Sequence, residues 1–201
     1  MKKRKSGRPS KEVTASIEEQ LLRESRRIFA RKGYANTSLD EIATILKVSK
    51  HTIYRRFHGK EALFDAIVER DIQAFRDLLE GDDTDESNAM VLLRDAARRY
   101  FEYAIVRENA SFYLFVKTEA VASSRGRKKL ARWSTIALDP MRKKIAAVKA
   151  SGALSYLDSA ETLQLLIDLL EGVADRVRSG RALDATTLFD TRWEVFVKSC
   201  S

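Results

Sequence analysis

The chain has 201 residues, of which 44% are hydrophobic and 33% charged, and its formal net charge is +8. This length and hydrophobic content suffice for a buried core, which excludes a disordered tail. With two prolines and eight glycines, the composition favours helices over an all-β fold. No apolar run approaches the ~18 residues of a membrane span, and the basic N-terminus lacks the apolar core of a signal peptide. We therefore expect a cytoplasmic protein.

The positive charge is concentrated at one end of the sequence. Residues 1–70 hold 17 Lys and Arg against 9 Asp and Glu, whereas residues 71–201 hold 20 of each. Such an imbalance is typical of an N-terminal region that binds a polyanion.

Motifs for enzymatic chemistry are lacking. Cys200 is the single cysteine, and the two histidines are His51 and His58, so neither a thiolate zinc site nor a Ser-His-Asp set is indicated. No glycine-rich phosphate loop occurs either. We predict no catalytic residue, no metal and no cofactor.

Residues 1–11, MKKRKSGRPSK, carry six basic and no acidic residues, which indicates a flexible arm attracted to phosphate. The segment Gly7-Arg8-Pro9 is similar to the core of an AT-hook, which enters a narrow minor groove. A solvated charged tail is the alternative.

Three helices are predicted next. Ile17, Leu21, Ile28 and Phe29 recur at helical spacing up to Gly33. A short second helix over about 38–46 is capped by Thr37 or Ser38. After the break Lys47-Val48-Ser49, a third helix begins at the cap Ser49. Two short helices joined by a tight turn are typical of a helix-turn-helix.

Helical periodicity continues to the C-terminus, with predicted helices over about 60–80, 87–107, 110–123, 127–150, 158–179 and 185–199. Pro140 should kink or split the helix over 127–150.

The run from Gly33 to Phe64, GYANTSLDEIATILKVSKHTIYRRFHGKEALF, resembles the DNA-binding signature of the TetR family of bacterial transcriptional regulators. The resemblance implies an all-α homodimer that binds a palindromic operator and represses until a small molecule binds its C-terminal domain. The implied organisation is a flexible basic arm (1–16), a three-helix helix-turn-helix DNA-binding domain (17–60) and a helical ligand-binding and dimerisation domain (61–201).

The resemblance also implies residue roles. Thr37, Ser38, Tyr54 and Lys60 correspond to phosphate-contacting positions, and Lys50, His51, Thr52 and Arg56 to positions facing base edges or the nearby backbone. The predicted DNA-binding set further includes Arg4, Arg8, Ser49 and Arg55. Lys and Arg can donate to guanine, and hydroxyl or ammonium groups suit phosphate oxygens.

Two positions depart from the family pattern, which often has glycine where this chain has Lys47 and His51. We expect Lys47 to hold a left-handed backbone conformation at a cost of order 1 kcal/mol. His51 either keeps the backbone away from DNA or reads a base itself.

Two residue sets in the C-terminal two-thirds are candidates for ligand binding and dimerisation. An aromatic set is predicted either to line a ligand cavity or to pack in the core: Tyr100, Phe101, Tyr103, Phe112, Tyr113, Phe115 and Trp133. A second set on the last two helices is predicted to form a four-helix dimer interface, with burial inside one subunit as the alternative: Leu166, Leu169, Leu170, Gly172, Val173, Val177, Phe189, Trp193 and Phe196.

The run Arg125, Arg127, Lys128, Lys129 and Arg132 either meets an anionic ligand or forms a solvated face. The function indicated by the sequence is ligand-responsive transcriptional regulation, with activation open beside repression. An architectural DNA-binding protein without a fixed operator is the main alternative, and a helical enzyme or protein-interaction module is a third.

Overall fold

A computed structural model of the chain describes residues 11–81, 88–181 and 184–201. Within these ranges the chain forms ten α-helices and no β-strand, which confirms the all-α prediction. The helices are α1 (Lys11–Lys32), α2 (Leu39–Leu46), α3 (Lys50–Tyr54), α4 (Lys60–Glu80), α5 (Ala89–Ile105), α6 (Arg107–Val121), α7 (Ser124–Ala137), α8 (Asp139–Ala150), α9 (Ser159–Arg178) and α10 (Ala185–Cys200). In this described part of the chain, no helix is long and apolar enough to cross a membrane.

Two compact units make up the chain, one ending at Arg70 and the other beginning at Asp71. We call them the first unit and the second unit. Helix α4 contributes residues to both.

The first unit is built around apolar side chains from α1 to α4. Phe29 of α1, Ile42 of α2, Ile53 of α3 and Leu63 of α4 are all fully buried. Tyr34, in the loop after α1, adds an edge contact to the ring of Phe64, with the ring centroids 5.4 Å apart. Burial of these side chains holds short helices that would be unstable alone.

The second unit has its main core between α5, α8, α9 and α10, and α6 packs against α7. Leu93, Met141, Ile145 and Phe189 are among the fully buried side chains. Helix α9 begins with a capping box in which Asp158 and Glu161 each accept from the other's backbone N–H.

Pro140 splits the long helix predicted over 127–150, as expected. Helix α7 ends at Ala137, and Pro140 lies in the first turn of α8. A proline is tolerated there because the first N–H groups of a helix have no intrahelical partner.

The N-terminal boundary differs from the sequence expectation. Helix α1 begins at Lys11, about six residues before the predicted start at Ile17, so the last part of the predicted arm is helical. In the sequence the apolar periodicity begins only at Ile17, so it does not mark this first turn and a half. Arg4, Arg8 and the Gly7-Arg8-Pro9 segment lie outside the described residues.

Candidate nucleic-acid interface

The turn between α2 and α3 is set by local hydrogen bonds. Ser38 caps α2 by accepting from the backbone N–H of Glu41 at 3.1 Å, and Ser49 caps α3 by accepting from that of Thr52 at 3.1 Å. Between them, Lys47 ends α2 with φ 54° and ψ 35°, which confirms its predicted left-handed conformation. These caps define where each short helix begins and ends.

One face of the α2–α3 pair is buried, so the opposite face is available to a partner. Ile42, Ala43, Ile53 and Phe57 are buried in the first unit. The exposed side chains along α3 and its two ends are Ser49, Lys50, His51, Tyr54 and Arg55. This surface offers ammonium, imidazole, phenol and guanidinium groups, which are suitable donors to phosphates and base edges.

Two of the side chains predicted to contact phosphate make hydrogen bonds within the first unit. Thr37 is 2% exposed, and its hydroxyl donates to the carbonyl of Gly33 at 2.8 Å. The Lys60 ammonium donates to the carbonyls of Tyr34 and Thr37, at 2.7 and 2.9 Å. These two side chains therefore hold the loop between α1 and α2.

Arg56 is similarly engaged within the protein. Its side chain is only 10% exposed, and its Nη1 lies 2.9 Å from the carboxylate of Glu18 in α1. The structure thus places Arg56, predicted to face base edges or the nearby backbone, against α1. This pairing could not be predicted from the sequence because the two residues are 38 positions apart.

Lys50 remains on the surface but has an acidic neighbour. Its ammonium lies 2.5 Å from the carboxylate of Asp40 in α2, and both side chains are more than half exposed. A surface ion pair of this kind is worth only about 0–1 kcal/mol, so a phosphate or a guanine can replace the carboxylate.

A surface depression of about 470 Å³ connects the α1–α2 loop to α3. It brings together all four residues to which the family resemblance assigned phosphate contacts: Thr37, Ser38, Tyr54 and Lys60. The residues that the sequence did not single out are Ala35, Asn36, Leu39 and Gly59. Of the four predicted phosphate contacts, Ser38 and Tyr54 are exposed, whereas Thr37 is buried and Lys60 is partly buried.

The fold and this surface define the class of the protein. It is an all-helical chain with a capped helix-turn-helix, in which the second helix of the motif, α3, is basic and exposed. Residues 21–67 match the family model described as bacterial regulatory proteins, tetR family. The helix-turn-helix is thus of the TetR-family type, which confirms the resemblance recognised in residues 33–64.

Solved structures share the fold over nearly the whole chain. FadR from Bacillus subtilis in complex with stearoyl-CoA is 16% identical with a TM-score of 0.72, over 91% of this chain and 99% of that one. The fatty acid degradation regulator FadR from Bacillus halodurans is 17% identical with a TM-score of 0.72, over 96% and 97%. AibR in complex with isovaleryl coenzyme A and operator DNA is 16% identical with a TM-score of 0.69, over 90% and 97%.

The aromatic candidates for ligand binding fall into two groups. Tyr100, Phe101, Phe112 and Trp133 are buried, whereas the side chains with accessible surface are Tyr103, Tyr113 and Phe115. Phe101 stacks on Phe189, with the ring centroids 5.6 Å apart, and so belongs to the core between α5 and α10.

Tyr100 is held by a carboxylate within the second unit. Its phenol donates to Glu171 Oε1 at 2.7 Å. Burial, together with this neighbouring carboxylate, raises the pKa of the Tyr100 phenol well above its ordinary value. Tyr100 is consequently protonated at neutral pH and acts as a hydrogen-bond donor between α5 and α9.

The predicted dimer set is largely internal to one chain. Six of its nine members are buried within the second unit: Leu166, Leu170, Val173, Phe189, Trp193 and Phe196. For these side chains the structure corresponds to the one-subunit alternative, because their apolar surface is already covered. Leu169, Gly172 and Val177 retain accessible surface.

Proposed function

We propose that this chain represses transcription by binding an inverted-repeat operator in double-stranded DNA as a homodimer, and that a small molecule releases it. The observation that carries the proposal is the exposed, capped helix α3, which presents Lys50, His51, Tyr54 and Arg55 from a rigid support. A helix of this kind enters the major groove, where its side chains reach base edges and the flanking phosphates.

The charge distribution supports the same assignment. Because the excess of Lys and Arg lies in residues 1–70 while residues 71–201 are balanced, attraction to a polyanion is confined to the part of the chain with the helix-turn-helix. Phosphate attraction supplies affinity without sequence preference, and base contacts by α3 would supply the preference.

For the effector, we propose an acyl-CoA as the first class to test. Two proteins of the same fold have been solved with stearoyl-CoA and isovaleryl coenzyme A. In this chain the half-exposed aromatic residues Tyr103, Tyr113 and Phe115 offer apolar surface. Exposed cations on α7, including Arg127, Lys128 and Arg132, suit the phosphates of such a ligand.

Selection of bound duplexes from a random DNA library at near-physiological salt tests the function. The test variant combines Lys50→Ala with Tyr54→Ala, both on the exposed face of α3. The matched control combines Lys143→Ala with Tyr156→Ala, which removes the same two residue types from exposed positions of the second unit. Arg56 is left intact because its side chain is mostly buried.

We expect wild type and control to enrich an inverted repeat, and the test variant to lose on the order of 100-fold in affinity for it. Adding acyl-CoAs of several chain lengths should then release wild type from this operator, whereas free coenzyme A and free fatty acids serve as comparisons. Motif-free, steeply salt-dependent binding would support an architectural DNA-binding protein instead, and the absence of DNA binding would overturn the proposal.

A further inference from the structure

The Lys60 ammonium has three protein contacts at the N-terminal end of α4. It donates to the carbonyl of Tyr34 at 2.7 Å and to the carbonyl of Thr37 at 2.9 Å. It also lies 4.3 Å from the centroid of the Tyr34 ring, in a cation–π arrangement. An ammonium group has three N–H donors, so two of them are engaged by carbonyls of the α1–α2 loop and the aromatic ring covers the cation.

The loop that Lys60 holds leads directly into the DNA-facing surface. The Thr37 hydroxyl donates back to the carbonyl of Gly33 at 2.8 Å, and the Asn36 side chain donates to the carbonyl of Lys32 at 3.2 Å. Ser38, the residue after Thr37, caps α2. The position of this cap, and with it the start of α2, is therefore tied to α4 through Lys60.

We propose that Lys60 acts as a positioning residue for DNA binding, by fixing the α1–α2 loop, and not as a phosphate ligand. This inference rests on the proposed function. With two of its three N–H donors on loop carbonyls, Lys60 has at most one left for a phosphate. Turning fully toward a phosphate would leave two carbonyl groups of the part-buried loop unsatisfied, which opposes that exchange. Arg55, by contrast, lies exposed on the same unit and can meet DNA directly.

The salt dependence of DNA binding separates the two roles. Each phosphate neutralised by a cation contributes about 0.9 to the slope of log K against log salt. Removal of a phosphate ligand should thus lower the slope by about one. Loss of a positioning residue should weaken binding while leaving the slope unchanged.

The experiment compares Lys60→Met with Arg55→Met in the full chain, using the operator and a series of salt concentrations. For Lys60→Met we expect affinity to fall at least about tenfold, as for loss of hydrogen bonds to a charged group, with the wild-type slope. In the DNA-free protein, amide hydrogen exchange over residues 34–38 should become about tenfold faster. Arg55→Met should lower the slope and leave this exchange unchanged.

Lys60→Arg keeps the charge but changes the donor geometry. It is the test variant to use if Lys60→Met fails to fold. Loosened exchange and weakened binding in Lys60→Arg support the positioning role. A reduced slope in Lys60→Met with unchanged exchange in the free protein overturns it. If wild type binds no DNA, the proposed function fails, whereas the exchange data still report on the Lys60 contacts.

Discussion

Lys47 adopts a left-handed backbone conformation in the turn between α2 and α3, with φ 54° and ψ 35°. Its backbone N–H lies in reach of the carbonyls of Ala43 and Thr44, which ends α2 in the way a glycine normally would. A side chain at such a position costs about 1 kcal/mol because Cβ approaches the neighbouring carbonyl. The left-handed conformation is predicted from the sequence because glycine is common at this position in the family pattern.

Replacing Lys47 with glycine should therefore stabilise the first unit. We expect Lys47→Gly to raise the free energy of unfolding by about 0.5–1 kcal/mol, since glycine adopts this conformation without the steric cost. Native-state hydrogen exchange at the buried residues Ile42 and Ile53 measures the change. Lys47→Ala removes the same charge but keeps the Cβ, so equal stabilisation by both variants would point to charge and not to backbone conformation.

At the level of elements, α3 depends on its surroundings because it has only five residues, Lys50–Tyr54. A helix this short has no stability of its own. It is held by the buried side chain of Ile53 and by the cap at Ser49, whose hydroxyl also lies 2.8 Å from that of Thr52.

Ser49→Ala should destabilise the helix-turn-helix by about 1 kcal/mol, the usual effect of losing an N-cap. Ser49→Asn preserves a capping side chain and should restore stability. Ser49→Asp also preserves the cap but places a carboxylate on the proposed DNA-binding surface, so stability should be kept while DNA affinity falls. Hydrogen exchange and operator titration of the three variants check this, and an unchanged stability in Ser49→Ala would contradict a capping role.

Local signals explain which elements the sequence predicted well. The caps Ser38 and Ser49 and the split at Pro140 each follow from a side chain acting on its own neighbouring backbone, and the structure confirms them. Buried positions of α2 and α3 follow from helical periodicity in the same way.

Contacts between distant residues explain what the sequence did not predict. Arg56 pairs with Glu18, and Lys60 reaches the carbonyl of Tyr34, across 38 and 26 positions. Similarly, periodicity identified the apolar side chains of α9 and α10 without showing which surface covers them. The predicted interface therefore includes Leu170 and Phe196, although the structure buries both within one chain.

At the scale of the whole molecule, the proposed dimer needs a surface that one chain leaves uncovered. On α9 such a surface is offered by Leu165, Leu169 and Gly172, which share a face at helical spacing and are only partly buried or exposed. Apart from its chain neighbours and the adjacent backbone of α9, a Cβ at Gly172 would meet no atom within 4 Å. The glycine therefore leaves room for a partner helix to approach closely.

Leu169→Arg tests whether this face joins two subunits. Leu114 on α6 is 63% exposed, so Leu114→Arg is a matched control with the same substitution on another surface. If α9 forms the interface, Leu169→Arg should raise the dimer dissociation constant by about 30-fold or more, the effect of losing an interface residue worth about 2 kcal/mol. Sedimentation measures this change, and Leu114→Arg should match wild type.

The same variant connects assembly to operator recognition. Two joined helix-turn-helix units bind the second half-site at a high effective concentration, so a monomeric Leu169→Arg protein should lose affinity for the full inverted repeat. Its affinity for an isolated half-site should stay equal to that of wild type, because α3 lies in the first unit and is unchanged. A dimeric Leu169→Arg with full operator affinity would exclude this face of α9 and move the proposed interface elsewhere on the second unit.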